Sequence, residues 1–429
     1  MFERVKRIII AITVFALGVA ALLTALVSVA LIPKSAIREN VIRSAEYLRE
    51  DELFPCVIEG QEYSRLDRYA DAILLGIAWQ YDDKDPLRSV MLSSYYDDQE
   101  HNEAEDLYDA ATGGISANKQ YLRYWHGSIL LVRPLLTIFS IKGIYIFNGV
   151  CLALLTILLL ISLFRTGGRL PALGLIGGLA LTFSVFVPLS LEYTWMFLLT
   201  MIFALVVVEK ERRGHGVSGT CFMVFGMLAS YFDFLTTETL TLTVPLLLML
   251  WAEGKRKEKT DAAGAALRMI AWVAGYALCW IMKWLIAGLT LGENVMPYVS
   301  GSIVERTTGG NMLYLGMEVS PVTAVINNIK CLFPFCFGTA GIIAGLVICA
   351  ALLYIAFVYR GKGYDGKRVA VYAVTALIPF IRYMALTEHA CVHYFFTFRA
   401  LTGTVLAFFL IMGELRAMET IKNSNGGKK

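Results

Sequence analysis

The chain reads as an all-α, polytopic transmembrane helix bundle of about ten spans, with a large extracytoplasmic first loop that contains interfacial amphipathic helices. Three observations predict this class. Of 429 residues, 57% are hydrophobic and only 17% charged, whereas soluble globular domains carry about 45–50% apolar and about 25% charged residues. Apolar runs of about 20 residues, long enough to cross about 30 Å of hydrocarbon, recur along the chain. The basic residues gather in short segments between alternate runs. The composition excludes an ordinary soluble enzyme, a disordered scaffold and a secreted disulfide domain. A net charge of +3 gives no reason to expect nucleic acid as a partner.

The runs fall at about 8–32, 143–164, 171–190, 195–208, 218–233, 239–252, 269–291, 334–358, 369–386 and 400–415. They make residues 1–429 one integral membrane domain, with 33–142 inserted between the first two spans and 292–333 as a second outer loop. The first run, Ile8 to Ile32, is longer than the h-region of a signal peptide and ends in Pro33-Lys34, so it reads as a retained anchor. Arg4, Lys6 and Arg7 precede it, and Arg165 with Arg169, Lys210 to Arg213, Lys255 to Arg268, Arg360 to Arg368 and the tail follow. With ten spans, these 21 of the 38 basic residues share one side. The positive-inside rule makes that side cytoplasmic and both termini internal. The 33–142 loop, by contrast, holds 12 Lys and Arg against 19 Asp and Glu, a net of −7. A segment of that length in a compact protein is expected to be structured or functional.

Eight cysteines show no C-x-x-C spacing, so sulfur-based metal or redox chemistry is not expected. Cys151, Cys221, Cys279 and Cys349 lie in apolar runs, and Cys56 and Cys391 could meet outside. Thr166-Gly-Gly and Thr308-Gly-Gly read as turns, and no Walker or Rossmann loop is present. No cofactor is expected.

Within the outer loop, Ser35 to Glu50 has Ile37, Val41, Ala45 and Leu48 on one stripe and predicts a helix lying on the membrane surface. Asp67 and Asp71 are four apart and share a helical face, with Arg68 between them. Asp71 precedes an apolar run, which places it where helix meets membrane. The stretch from Asp82 to Asp109 is acidic and contains His101. Its oxygen-rich composition suits a divalent cation, but no fixed ligand spacing marks a site, and a solvated loop is the expected state. Next, Tyr121, Tyr124 and Trp125 suit the headgroup belt. His126 and Arg133 lie seven apart, and Arg133 sits in an apolar run where a cation needs an anionic partner.

Ionisable residues inside spans are costly and are functional candidates. Lys283 and Arg382 fall in the outer halves of their spans. Asp233 and Glu238 bracket one outer junction, and His389, His393 and Arg399 occupy another. The i,i+4 histidines permit a shared ligand, but no third ligand supports a metal. All these groups lie at one height. A carrier needs polar residues near the midplane and in both halves, whereas a site at the outer leaflet suits chemistry on a lipid-linked substrate.

In this arrangement the chain resembles the GT-C glycosyltransferases, polytopic enzymes that take sugars from polyprenyl-phosphate carriers on the extracytoplasmic face. The residues that carry the resemblance are the first span, the large loop with an early acidic residue, and the later spans with short connections. It is also similar to polytopic membrane proteins of Gram-positive, clostridial-type bacteria. These have segments like Leu66-Asp-Arg-Tyr-Ala-Asp-Ala, Tyr124-Trp-His-Gly with Arg133-Pro-Leu-Leu, Phe232-Asp-Phe-Leu-Thr-Thr and His393-Tyr-Phe-Phe-Thr-Phe-Arg. The resemblance implies Asp71 as general base, with Asp67 as second choice. It implies Arg399, Arg133, Arg382 and Lys283 as partners of the donor phosphate, and His389 and His393 as phosphate or sugar ligands. Arg68, Trp125, His126, Asp233 and Glu238 complete the expected substrate-binding set. The implied partners are a polyprenyl-phosphate-linked sugar, a cell-envelope glycan or protein acceptor, and the lipid bilayer of the cell membrane. The second reading is a multi-span transporter or lipid flippase for an envelope precursor.

Overall fold

The first helix, α1 (Phe2–Ala30), stops just before Pro33, and α2 (Lys34–Leu48) begins directly after it. Proline lacks the N–H that a continuing helix needs but suits the position just before a new one. The computed structural model describes residues 2–256, 258–307, 313–314, 317–361 and 364–425. The 33–142 segment continues through α3 (Arg68–Gln80), α4 (Pro86–Leu92), α5 (Glu103–Gly113) and α6 (Ile129–Leu135). Each of α3, α4 and α5 starts where a side-chain oxygen takes an orphan N–H: Asp67, Asp85 and Asn102, respectively. Asn102 and Glu105 form a reciprocal capping box.

The bundle follows as α7 (Ile141–Arg165), α8 (Arg169–Leu181), α9 (Thr194–Arg212), α10 (Gly219–Phe232), α11 (Leu240–Lys255) and α12 (Ala262–Leu291). The second loop holds α13 (Met296–Thr307), a two-residue antiparallel ladder of β1 (Leu313–Tyr314) with β2 (Met317–Glu318), and α14 (Pro321–Lys330). The chain ends in α15 (Gly338–Val358), α16 (Gly366–Ala385), the short α17 (Thr387–Val392) and α18 (Tyr394–Thr397), and α19 (Leu401–Asn425).

The stripe Ile37, Val41, Ala45 and Leu48 is fully buried, as its spacing predicts. Its cover, however, is protein. α2 packs on α3, α5 and α7, which corrects the expectation that this stripe rests on lipid.

Among the described residues, six segments are long and apolar enough to cross a membrane: Val5–Ala30, Ile141–Arg165, Ala262–Leu291, Phe335–Val358, Gly366–Ala385 and Tyr394–Arg416. The third to sixth apolar runs of the sequence form shorter or more charged helices instead. α8 gives way at Thr182 to a 3-10 turn, Ser184–Leu189, that contains Pro188. α10 has 14 residues, about 21 Å of helix. Every residue of α11 from Leu240 to Leu250 is buried. Hydropathy reports that a helix is apolar but not what covers it, and here neighbouring helices supply much of the cover.

Close backbone approach holds this centre together. A Cβ added to Gly226 would lie 2.0 Å from the Trp272 carbonyl oxygen, and one on Gly275 would lie 2.0 Å from that of Met223. α10 and α12 therefore touch main chain to main chain, as small residues allow between membrane helices.

Several basic junctions meet one another. Arg256 pairs with Glu211 at 2.6 Å, Lys255 reaches the Thr166 carbonyl at 2.5 Å, and Arg368 reaches the Glu258 carbonyl at 2.6 Å and Glu414 at 3.2 Å. Elsewhere the 33–142 segment meets the late segments: Tyr394 donates to Glu62 at 2.8 Å and Arg399 to the Tyr63 carbonyl at 2.9 Å. The Thr308-Gly-Gly turn, Lys257, Lys362, Lys428 and Lys429 lie outside the described residues.

Candidate functional site

A cavity of about 90 Å³ opens at the start of α3, lined by Asp67, His126, Glu192, His389 and His393 among others. Asp67 reaches it because it is the N-cap: its Oδ1 accepts the Ala70 N–H at 2.9 Å, which fixes the carboxylate at the helix entrance. Glu192 comes from the junction between α8 and α9. Asp71 holds that junction in place, taking the Leu191 N–H on Oδ1 at 2.7 Å and the Tyr145 hydroxyl on Oδ2. Asp71 is fully buried and does not line the cavity. The two carboxylates of α3 thus divide their work, one facing the cavity and one bracing its wall.

Burial is the main influence on the three carboxyl groups. It pushes Asp67 up to about 6, against the lowering effect of the Ala70 N–H and a hydrogen bond from Glu192. Glu192 is raised well above the usual carboxylate range by burial and by the nearby charges of Asp67 and Asp71. Burial thus raises both carboxyl groups, and the neighbouring carboxylates push Glu192 further in the same direction. Asp71 is pushed up to about 8 by burial.

The three histidines are neutral. Burial lowers His126 and His393 to about 3 and takes His389 well below the ordinary imidazole value. The His389 and His393 rings lie 4.5 Å apart. The Nδ1 atoms of His126 and His393 are buried with no hydrogen-bond partner among the described residues. Unprotonated, each is an acceptor that a substrate hydroxyl would satisfy. His126 sits at φ 54°, a left-handed conformation uncommon for a residue with a side chain.

Arg123 and Arg306 border the cavity and also a second, apolar groove of about 250 Å³. Trp280 and Trp284 of α12, Val299 and Ile303 of α13, and Leu235 and Leu386 line this groove. Arg306 pairs with Glu388 at 3.3 Å. Arg123 lies over the Tyr121 and Tyr124 rings at 4.7 and 5.3 Å. A polar pocket, two guanidinium groups and an apolar trough thus follow one another.

The remaining sequence candidates do not line the cavity and are engaged by the protein, although Arg382 Nη2 lies 3.5 Å from Nδ1 of the cavity residue His389. Arg133 donates to the carbonyls of Ile32 at 2.5 Å, Tyr81 at 3.3 Å and Ala78, closing the C-terminal ends of α1 and α3. Lys283 donates to the Val90 and Met91 carbonyls at 3.1 and 2.9 Å, in the last turn of α4. Arg399 donates to the Phe395 and Tyr63 carbonyls, both at 2.9 Å. These cations find partners in orphan helix-end and loop carbonyls and do not line the cavity. Arg382 pairs with Glu238 at 3.0 Å and also reaches the Leu235 carbonyl. Asp233 accepts from the backbone of Leu235 and Thr236, both at 2.9 Å, and from Tyr276 at 2.7 Å. Trp125 donates to the Cys279 carbonyl at 2.8 Å. Arg68 lies 3.7 Å from Asp51.

Of the residues singled out in the sequence, Asp67, His126, His389 and His393 line this cavity, whereas Arg123, Arg306 and Glu192, which also line it, were not among the candidates. A signal existed for Glu192, the sole carboxylate between Asp109 and Glu209. Comparison with family models, with curated proteins and with solved structures finds no match for this chain.

Proposed function

We propose that the chain is a GT-C-type membrane glycosyltransferase that moves a sugar from a polyprenyl-phosphate donor to a cell-envelope acceptor at the extracytoplasmic face. One observation carries the reading: a carboxylate base and neutral imidazoles share a cavity whose cationic border opens onto an apolar groove. An anion with an apolar tail and a polyhydroxylated head matches these three environments in order.

In the proposed reaction, the acceptor hydroxyl oxygen attacks the anomeric carbon while Asp67 takes its proton. The bond from that carbon to the phosphate oxygen breaks, and its electron pair leaves with polyprenyl phosphate. Arg123 and Arg306 face the charge that grows on the phosphate. Glu192 donates its hydrogen bond to Asp67 and offsets part of the burial that would otherwise neutralise the base. Asp71 is a positioning residue in this scheme, through Leu191. His126 and His393 accept sugar hydroxyls. Ten crossings with both termini cytoplasmic complete the reading, and the meeting of basic junctions supports that topology.

The test is to incubate the purified protein in proteoliposomes with a panel of polyprenyl-phosphate sugars and follow sugar transfer or release of polyprenyl phosphate. Turnover that disappears in Asp67→Asn supports the assignment. A folded protein that turns over none of them, yet shows counterflow of a lipid-linked precursor, favours the transporter reading instead.

A further inference from the structure

Three ligand-type side chains of the outer loop converge at a place that does not line the Asp67 cavity. Asp98, His101 and Asp106 each present one ligand atom, and these atoms all lie within 4.8 Å of one another. Local structure sets them there. Asp98 Oδ1 takes the N–H groups of Glu100 and His101 at 2.9 and 2.8 Å and folds the chain back before the capping box of α5. That turn brings His101 Nδ1 to 2.9 Å from Asp98 Oδ2 and 3.5 Å from Asp109 Oδ2. One turn into α5, Asp106 points back at the same place, and its Oδ2 accepts the Asp98 N–H at 3.3 Å.

Asp106 supplies the independent observation. It is only 2% exposed, and its Oδ1 has no hydrogen-bond partner among the described residues. A buried carboxylate oxygen left without a donor is costly. A protonated His101 answers Asp98 but leaves Asp106 Oδ1 unanswered. A cation seated among the three would satisfy Asp106, Asp98 and the imidazole together. His101 itself is exposed, so the site is open to solvent on one side and has room for water ligands.

We propose that Asp98, His101 and Asp106 bind a divalent transition-metal ion of mixed oxygen and nitrogen preference, in the class of Mn²⁺ and Zn²⁺, which pins the 97–101 turn to α5. Imidazole with carboxylates selects such ions over Ca²⁺ and Mg²⁺, which take oxygen donors. Because α5 packs on α3, the ion braces the helix that carries Asp67 without touching the cavity.

The experiment uses the full chain, stripped with chelator and then titrated with Mn²⁺ followed by electron paramagnetic resonance and with Zn²⁺ followed by calorimetry. Thermal unfolding is recorded in parallel, and no sugar donor is present, so the outcome is independent of the transferase assignment. The expected result is one ion per chain and a raised Tm, with affinity about tenfold or more weaker in Asp106→Asn and in His101→Ala. His101 is exposed, so His101→Ala carries the test if Asp106→Asn fails to fold. Unchanged binding in His101→Ala, equal affinity for Ca²⁺, or no saturable binding of either ion would each overturn the proposal.

Discussion

Two sets of buried charges lie in this molecule and differ in who answers them. Arg133, Lys283 and Arg399 are as deeply buried as any residue in the chain, yet each is spent on carbonyl oxygens, chiefly at helix ends. Asp67 and His126 are also buried and Glu192 and His393 half-buried, but they answer one another incompletely and line a cavity. Burial of a charge therefore does not distinguish a functional group from a structural one. The difference is in surroundings: the first set sits against backbone carbonyls, with only Arg133 Nε and Arg399 Nε lacking a partner among the described residues, whereas the second lines a cavity.

The sharpest way to break that comparison is Asp67→Asn. Asparagine is as good an N-cap as aspartate, so α3 should keep its start and the protein its Tm. Loss of the base should nevertheless lower transfer by about 10²- to 10⁴-fold, read in the proteoliposome assay. A large fall in Tm would move Asp67 into the structural set.

The two arginine classes give the next contrast. Arg133→Met leaves carbonyls of α1 and α3 buried without a donor, at about 1–3 kcal/mol each. It should therefore lower thermal stability strongly while activity per folded molecule holds. Arg306→Met removes a partly exposed pair with Glu388, worth about 1 kcal/mol or less. If Arg306 meets the leaving phosphate, its loss should cost about 10²-fold in turnover. Equal behaviour of the two variants in both assays would erase the distinction.

Much of this was legible in the sequence, for reasons that show where legibility stops. The 3.6-residue period named the buried stripe of α2 correctly but not its cover, because a lipid surface and a protein surface ask for the same side chains. The same ambiguity holds for α11, buried from Leu240 to Leu250: an apolar run reads alike whether lipid or protein covers the helix. Asp67 and Asp71 were found together, yet spacing fixes a helical face and not depth, so it did not show that Asp67 lines the cavity and Asp71 lies behind its wall. Lys283 and Arg133 stood out because cations in apolar runs are rare, and a sequence does not show backbone carbonyls waiting at helix ends. Arg123 and Arg306 lie in ordinary polar stretches, and only the fold brings them to one border.

Within the cavity, pH should separate the members of the carboxyl pair. The rate constant kcat/KM should rise as pH passes through about 6, where Asp67 loses its proton. Glu192→Leu removes the hydrogen bond that helps Asp67 ionise, so the rising limb should move to higher pH. Glu192→Gln keeps a donor and should leave the limb close to its original place. A limb that ignores both substitutions would detach Glu192 from the base.

Asp71→Asn should give the smallest change in activity and the most specific change in stability. Asparagine can still accept the Leu191 N–H and meet the Tyr145 hydroxyl, so turnover should fall by less than about tenfold. The folded carboxyl titrates at about 8 against an ordinary 3.8. Between these values the folded state holds a proton that the unfolded state has released. Its contribution is fully present at acid pH and is lost as pH rises through about 8. Wild type should therefore lose Tm relative to Asp71→Asn as pH goes from 5 to about 8. Parallel Tm curves would place an ionised Asp71 in the fold, and abolished turnover would return the role of base to it.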